Sequence, residues 1–388
     1  MNAKNCHFVV FSDDWGEHPS SCQHLFLNIS KSYTVTWVNT IGMRPPKFSV
    51  MDLQKSIKKL HRMFQKKNKY IEQKEKLGPE TIIQPFMLPW QKIPGIRRMN
   101  AISVISAVRK ELKNYPNNEV ILVTTVPNAC DYIGHFNEDL AVYYCVDDFT
   151  EWPGLDKNYI KDLESELLSH CDALIATSEK LLNRLKFIGK PLKLLTHGVN
   201  TEMFTRLPDK KDIVLQNIKP PRVGYYGLFD KRSDQELLLS IALELPMVSF
   251  VIIGKVEYCL PKLRRLENIY FIGPVKYERL PSLIKGLEIL ILPYKVNELT
   301  QSIYPLKLKE YILTGKPVIC SPLPEVKQFE HLINIAETER DWINNISCQL
   351  YKKHKKKSIE YIKNAFIKEQ WEYKSEEFVA FCLENLKK

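Results

Sequence analysis

The sequence predicts two successive α/β units, each a doubly wound parallel sheet, and three observations carry that expectation. Short apolar runs recur along the chain with helical patterns between them, the rhythm of a parallel sheet with crossover helices. The rhythm breaks once, over the polar and weakly patterned stretch 207–219, and then restarts. A length of 388 residues also suits two domains.

In the first half, Phe8-Val9-Val10-Phe11 reads as the opening strand, because so short an apolar run is no secretory signal. A helix over 22–30 and a strand over 34–38 follow. Further strands are expected over 120–124, 141–146, 173–178 and near 193–195, with helices over about 157–170 and from about 179. After the break, strands fall at 222–226, 250–253, 269–272, 287–292 and 318–320, and helices at 233–244 and 280–285. The tail beyond Glu337 is helical and Lys-rich, and 371–386 is amphipathic. The expected division is 1–206, 207–368, and a terminal helix within 369–388. Two such sheets would face each other with the carboxyl ends of their strands, where ligands bind.

The formal charge of +11 calls for an anionic partner (phosphorylated substrate, anionic lipid or nucleic acid), or else reflects a generally basic composition. No window approaches the ~18 to 20 apolar residues of a membrane span. The nine cysteines have neither paired nor metal-binding spacing, and Cys145 and Cys320 lie inside apolar runs. They read as reduced core thiols of a cytosolic protein. The absence of Gly-x-Ser-x-Gly, His-Glu-x-x-His and Walker patterns argues against hydrolase, zinc protease and P-loop chemistry.

The most informative stretch runs from Ser302 through Tyr304-Pro305-Leu306-Lys307-Leu308-Lys309-Glu310-Tyr311 to Gly315-Lys316-Pro317-Val318. Pro305 suits the first helical turn, and Gly315 the stop just past the end. The helix then points its free N–H groups above the sheet, where an anion is favoured. Glu310, in the second turn, can accept hydrogen bonds from a pair of sugar hydroxyls. Phosphate at the tip and ribose at the carboxylate together describe a nucleotide site, with Tyr304, Pro305, Leu306 and Lys307 around the phosphates.

The same residues resemble the donor-binding segment of Leloir glycosyltransferases with the GT-B fold, in the large retaining GT4 group. The likeness runs over most of 7–330 and is strongest from Tyr143 onward. It implies two Rossmann-like domains, an acceptor-binding one and a donor-binding one, with the last helix crossing back to the first. In that group two glutamates are separated by seven residues. Glu310 matches the second, which holds the ribose, while Ser302 occupies the place of the first, beside the sugar ring. Gly224-Tyr225-Tyr226-Gly227 with Asp230-Lys231-Arg232 resembles the loop whose basic residue meets the diphosphate, so Arg232, Lys231 and Gly227 are candidates there. Gly254 and the loop after Gly273 end neighbouring strands. Val275 resembles the backbone position that reads the nucleobase, with Tyr277 or Leu280 against the ring.

On the other side, Asp147 and Asp148 close an apolar strand, and with Trp152-Pro153-Gly154 they resemble a subgroup acting in bacterial polysaccharide assembly. A carboxylate there can orient the reacting hydroxyl or accept a proton. Equally, it can cap the segment that follows. Asp13, Asp14 and Trp15 match the acceptor-side loop, and His197 the end of the first domain near the donor sugar.

The implied enzyme moves a sugar from a UDP- or GDP-sugar to a glycan or lipid-linked glycan, without metal or cofactor beyond that co-substrate. Between about 52 and 76, Ile57, Leu60, Phe64 and Ile71 fall at helical spacing among lysines. Such a helix either packs on a core or lies on an anionic membrane surface at the inner face of the cell membrane. Few aromatics interleave with these lysines, so no nucleic-acid partner is expected. Two other readings stay open: a nucleotide-sugar 2-epimerase of the same shape, and a non-catalytic basic protein that binds membrane or nucleic acid.

Overall fold

The computed structural model describes residues 5–16, 20–40, 78–351 and 359–386. The segment 52–76 lies outside them. The chain divides into two compact units, Met1–Gly198 with Trp371–Lys388, and Val199–Gln370.

In the first unit seven strands form one parallel sheet: β1 (Cys6–Ser12), β2 (Thr34–Asn39), β3 (Thr81–Ile83), β4 (Glu119–Thr124), β5 (Leu140–Cys145), β6 (Ala173–Ala176) and β7 (Leu192–Leu194). Their order is β3-β2-β1-β4-β5-β6-β7. Phe8 lies opposite Val35 on one side and Ile121 on the other. Every residue of β1 and β5 is buried, as expected where helices cover both faces. Helix Lys157–His170 follows the predicted range and is capped by Asp156, whose side chain accepts from the Tyr159 N–H.

Helix Pro94–Leu112 was not legible in the sequence. Over 19 residues it buries only Asn100, Val104 and Val108, a stripe one residue wide, so it has no broad apolar face to read. Helix Trp371–Glu384 packs on helix Ser21–Ile29. Ser375 Oγ donates to the Leu25 carbonyl at 3.1 Å, Phe378 meets Phe26 edge to face, and the His24 ring stacks on Trp371. Gly198 leaves room for that indole, which a Cβ would overlap.

The second unit begins at Val199, ahead of the composition break at 207. The reason is packing. The Val199 N–H donates to the Glu369 carbonyl at 2.7 Å, and Val199 and Phe204 belong to the second core. Its strands are β8 (Arg222–Tyr226), β9 (Ser249–Ile253), β10 (Ile269–Gly273), β11 (Ile289–Leu292), β12 (Val318–Cys320) and β13 (Asn334–Ile335), in the parallel order β10-β9-β8-β11-β12-β13. The strand expected from 287 starts at Ile289. Leu287 is used instead to pack beneath Gly224, and the Glu288 carboxylate accepts from the Arg222 N–H. The helix expected from 233 starts at Gln235, because Asp234 is its cap.

In each sheet the strand order reverses beside its first strand, between β1 and β4 and between β8 and β11. At such switch points the chain leaves a crevice outside the carboxyl ends of the strands. Among the described residues no helix is long and apolar enough to cross a membrane. No disulfide joins any of the nine cysteines.

Candidate active site

The carboxyl ends of β8, β9 and β10 meet in three glycines at positive φ: Gly227 (131°), Gly254 (133°) and Gly273 (79°). The Gly227 N–H donates to the Ile253 carbonyl and the Gly254 N–H to the Gly273 carbonyl, both at 2.8 Å. A Cβ on Gly254 would overlap the Gly227 carbonyl, and one on Gly227 would overlap the Lys307 side chain. Glycine here has a steric cause: it lets a lysine cross the strand end. Lys307 Nζ lies 3.4 Å from Tyr294 Oη, just beyond β11, and 5.6 Å from the centre of the Tyr225 ring. The Arg232 backbone lies beside Tyr294, its carbonyl accepting from the Lys295 N–H at 2.9 Å. Arg232 also pairs with Asp230, Nε lying 3.1 and 3.0 Å from its two oxygens. Lys231 is exposed and stands over the Tyr258 ring.

Helix Leu306–Leu313 carries the central carboxylate. Pro305 is its N-cap rather than its first helical residue, with φ −75° and ψ 91°. Glu310 is only 5% exposed. Its Oε2 accepts from Tyr226 Oη at 2.8 Å and its Oε1 from Tyr277 Oη at 2.6 Å. Burial pushes the Glu310 carboxyl above the usual carboxylate range, and the two phenols, by donating to it, pull it partly back. Tyr311, next along, ties the helix to the strand end: its hydroxyl accepts from the Tyr226 N–H at 2.9 Å. Phe204 lies parallel to Tyr226 on the other side.

Two residues expected at this site are buried and have partners within the fold. Tyr304 is buried with the Lys309 ammonium over its ring, and that ammonium pairs with Glu369. Ser302 is buried at the end of helix Glu298–Ser302, and its hydroxyl donates back to the Glu298 carbonyl at 3.1 Å. Val275 is half-buried against the core, at the start of the loop that carries Tyr277.

In the first unit the switch point is self-contained. Ser12 Oγ and Thr125 Oγ1 are 2.8 Å apart across β1 and β4. The Asp13 carboxylate accepts from Ser12 (2.8 Å), Ser20 (3.1 Å) and Gln23 (2.9 Å). Gln23 also donates to the Asp14 carbonyl, and the Trp15 N–H donates to Asn39. The Trp15 ring sits edge-on to Trp37. Asp148 caps the turn Phe149–Glu151, accepting from the Thr150 N–H at 3.2 Å and its hydroxyl at 2.6 Å. Asp148 is thus bonded to the turn that follows it. Asp147 is half-buried beside it, and His197 is buried just before the unit ends.

Sequence reasoning missed Tyr226 and Tyr294, and placed Tyr277 against a base rather than on Glu310. A signal was available: a Tyr-Tyr pair ending a buried strand requires hydroxyl partners. Among the described residues one cluster has metal-like spacing, Cys130, Asp131 and Glu166, but the Arg97 guanidinium already reaches all three.

The fold so defined is GT-B, with a doubly wound sheet in each unit. Residues 220–348 match the family model described as Glycosyl transferases group 1. The resemblance read from the motif around Glu310 therefore holds over the unit that carries it. TuaH of Bacillus subtilis strain 168, named for glycosyltransfer in teichuronic acid biosynthesis, is 25% identical over 185 residues. That match takes in 45% of this chain and 46% of TuaH, about half the length of the curated relative. Two solved structures share the fold over nearly the whole chain. Sucrose-phosphate synthase from Thermosynechococcus elongatus aligns with a TM-score of 0.70 at 16% identity, covering 98% of each chain. Anabaena Alr3699/HepE, solved in complex with UDP and glucose, aligns with a TM-score of 0.67 at 11% identity, covering 98% of this chain and all of the other.

Proposed function

We propose that the protein is a retaining, metal-independent glycosyltransferase of the GT4 type, acting in cell-surface polysaccharide biosynthesis. It takes a nucleotide-diphosphate sugar as donor and a glycan or lipid-linked glycan as acceptor. The observation that carries the reading is the buried Glu310 carboxylate, one helical turn beyond Lys307, beside glycine-ended strands at a switch point. Lys307, Arg232 and the tip of helix Leu306–Leu313 hold the diphosphate and stabilise it as it leaves. Glu310 takes the ribose hydroxyls, and the loop from Gly273 through Val275 takes the base. The UDP complexes of the Anabaena protein favour UDP among the nucleotides.

The first unit takes the acceptor through Asp13, Asp14, Trp15 and His197, with Asp147 the carboxylate nearest the chemistry. The basic stretch 52–76 is assigned to an anionic membrane surface, so that the enzyme works peripherally on the cytoplasmic side. The deciding experiment is nucleotide binding by thermal shift, with UDP, GDP and ADP, for the wild type and Glu310→Ala. One nucleotide should raise the melting temperature, and the variant should lose that rise. No rise with any of the three sinks the donor-site assignment.

A further inference from the structure

Glu310 is held by two phenols from two different elements, and its acceptor capacity is thereby divided. An ionised carboxylate has about four lone-pair sites, two on each oxygen. Tyr226 takes one on Oε2 and Tyr277 takes one on Oε1. One site per oxygen is left, the number that two neighbouring hydroxyls of a sugar fill. The two phenols also stop the carboxylate from rotating, since each oxygen is tied separately. Their own positions are fixed from outside the site. Tyr226 lies against Phe204 and its backbone is bonded to Tyr311. Tyr277 sits on the turn Tyr277–Arg279, which Arg279 anchors through a two-pronged pair with Asp212 at 2.6 and 2.8 Å. That turn follows directly on the loop assigned above to the nucleobase.

We propose that Tyr277, with Tyr226, is a positioning residue that sets Glu310 to select a ribonucleotide over its deoxy counterpart, and that Tyr277 links this choice to the base loop. The inference rests on the donor-site reading given under Proposed function. The test is calorimetric titration of the full chain with UDP and with 2′-deoxy-UDP, or with the guanine pair if GDP is the nucleotide bound. Wild type, Glu310→Ala, Tyr277→Phe and Tyr226→Phe are compared between pH 5 and pH 8.

Wild type is expected to prefer the ribonucleotide, and Glu310→Ala to lose that preference. Tyr277→Phe should reduce it by about 3- to 10-fold, the span of one hydrogen bond. It should also shift the acid-side loss of affinity to higher pH, because the carboxylate has lost a donor. Both readouts are ratios or midpoints, so a smaller folded fraction does not mimic them, and Tyr226→Phe gives an independent second case. If Glu310→Ala loses the preference while both Phe variants keep the wild-type ratio and pH midpoint, the inference is overturned and the donor-site reading survives. If wild type has no preference, or binds no nucleotide, both fall together.

Discussion

The two units share a strand order but treat their switch points differently. At the first, between β1 and β4, polar groups satisfy one another: three side chains donate to Asp13, and Ser12 meets Thr125. At the second, between β8 and β11, glycines open the strand ends, a lysine crosses one of them to reach a phenol, and a carboxylate is buried with lone pairs in reserve. Burial raises the Asp13 carboxyl as it raises that of Glu310, so the two sites differ in the number of donors already on the carboxylate, three against two, and not in the sign of the cost.

Replacing the cation at the second switch point is the strongest way to sharpen this contrast. Lys307→Ala should lower sugar transfer by about 100- to 1000-fold, as losing a preorganised charge at a leaving group does, while the melting temperature changes little. A direct kinetic assay checks it. Glu310→Ala should weaken nucleotide binding by about 10- to 100-fold. Glu310→Gln should bind as poorly yet melt higher than wild type at pH 7 to 8. The carboxyl titrates above its unfolded value, so the stability it contributes is present in acid and lost as pH rises through the folded value. The advantage of Gln should therefore vanish towards pH 4, and a melting series across pH would show it.

Glycine substitutions compare the backbones directly. Gly254→Ala meets the Gly227 carbonyl at φ 133° and should cost roughly 3 kcal/mol or more. Gly16→Ala, at φ 80° with nothing near the added methyl, should cost about 1 kcal/mol. Denaturant midpoints that failed to separate the two would break the contrast.

The first unit should show its own pH signature. Burial holds both His7 and His24 down at about 4. Their neutral rings contribute stability that is complete above pH 6.5 and is lost as pH falls towards 4, about 3 kcal/mol for the fully buried His7. His7→Gln should flatten that acid limb. The smallest effect expected is at Asp148. Asn caps as well as Asp, so Asp148→Asn should keep stability within about 0.5 kcal/mol and keep activity, whereas Asp147→Asn should lose activity. Loss of transfer in Asp148→Asn would restore a catalytic role to that carboxylate.

The strands and the amphipathic helices were legible because burial on one or both faces writes itself into local pattern. Helix Lys157–His170, β8 and helix Leu280–Lys285 fall where periodicity puts them. Helix Pro94–Leu112 escaped because its buried stripe is too narrow, and the edge strand β3 escaped as well. Lys307 and Glu310 could be singled out because charge on a helix that ends at glycine before a buried strand already has a meaning in one dimension. By itself the sequence thus determined the two-sheet rhythm, the glycine strand ends and the helix that carries the central carboxylate. Tertiary structure alone decided that Tyr226 and Tyr277 share Glu310, that Asp148 is a cap, that Ser302 donates to the Glu298 carbonyl and that Tyr304 is buried under Lys309. Those outcomes depend on pairings across 84, 33 and fewer residues of chain, and on the directions of single side chains. Such pairings exist only once separate strands have been brought together, and no local pattern encodes them.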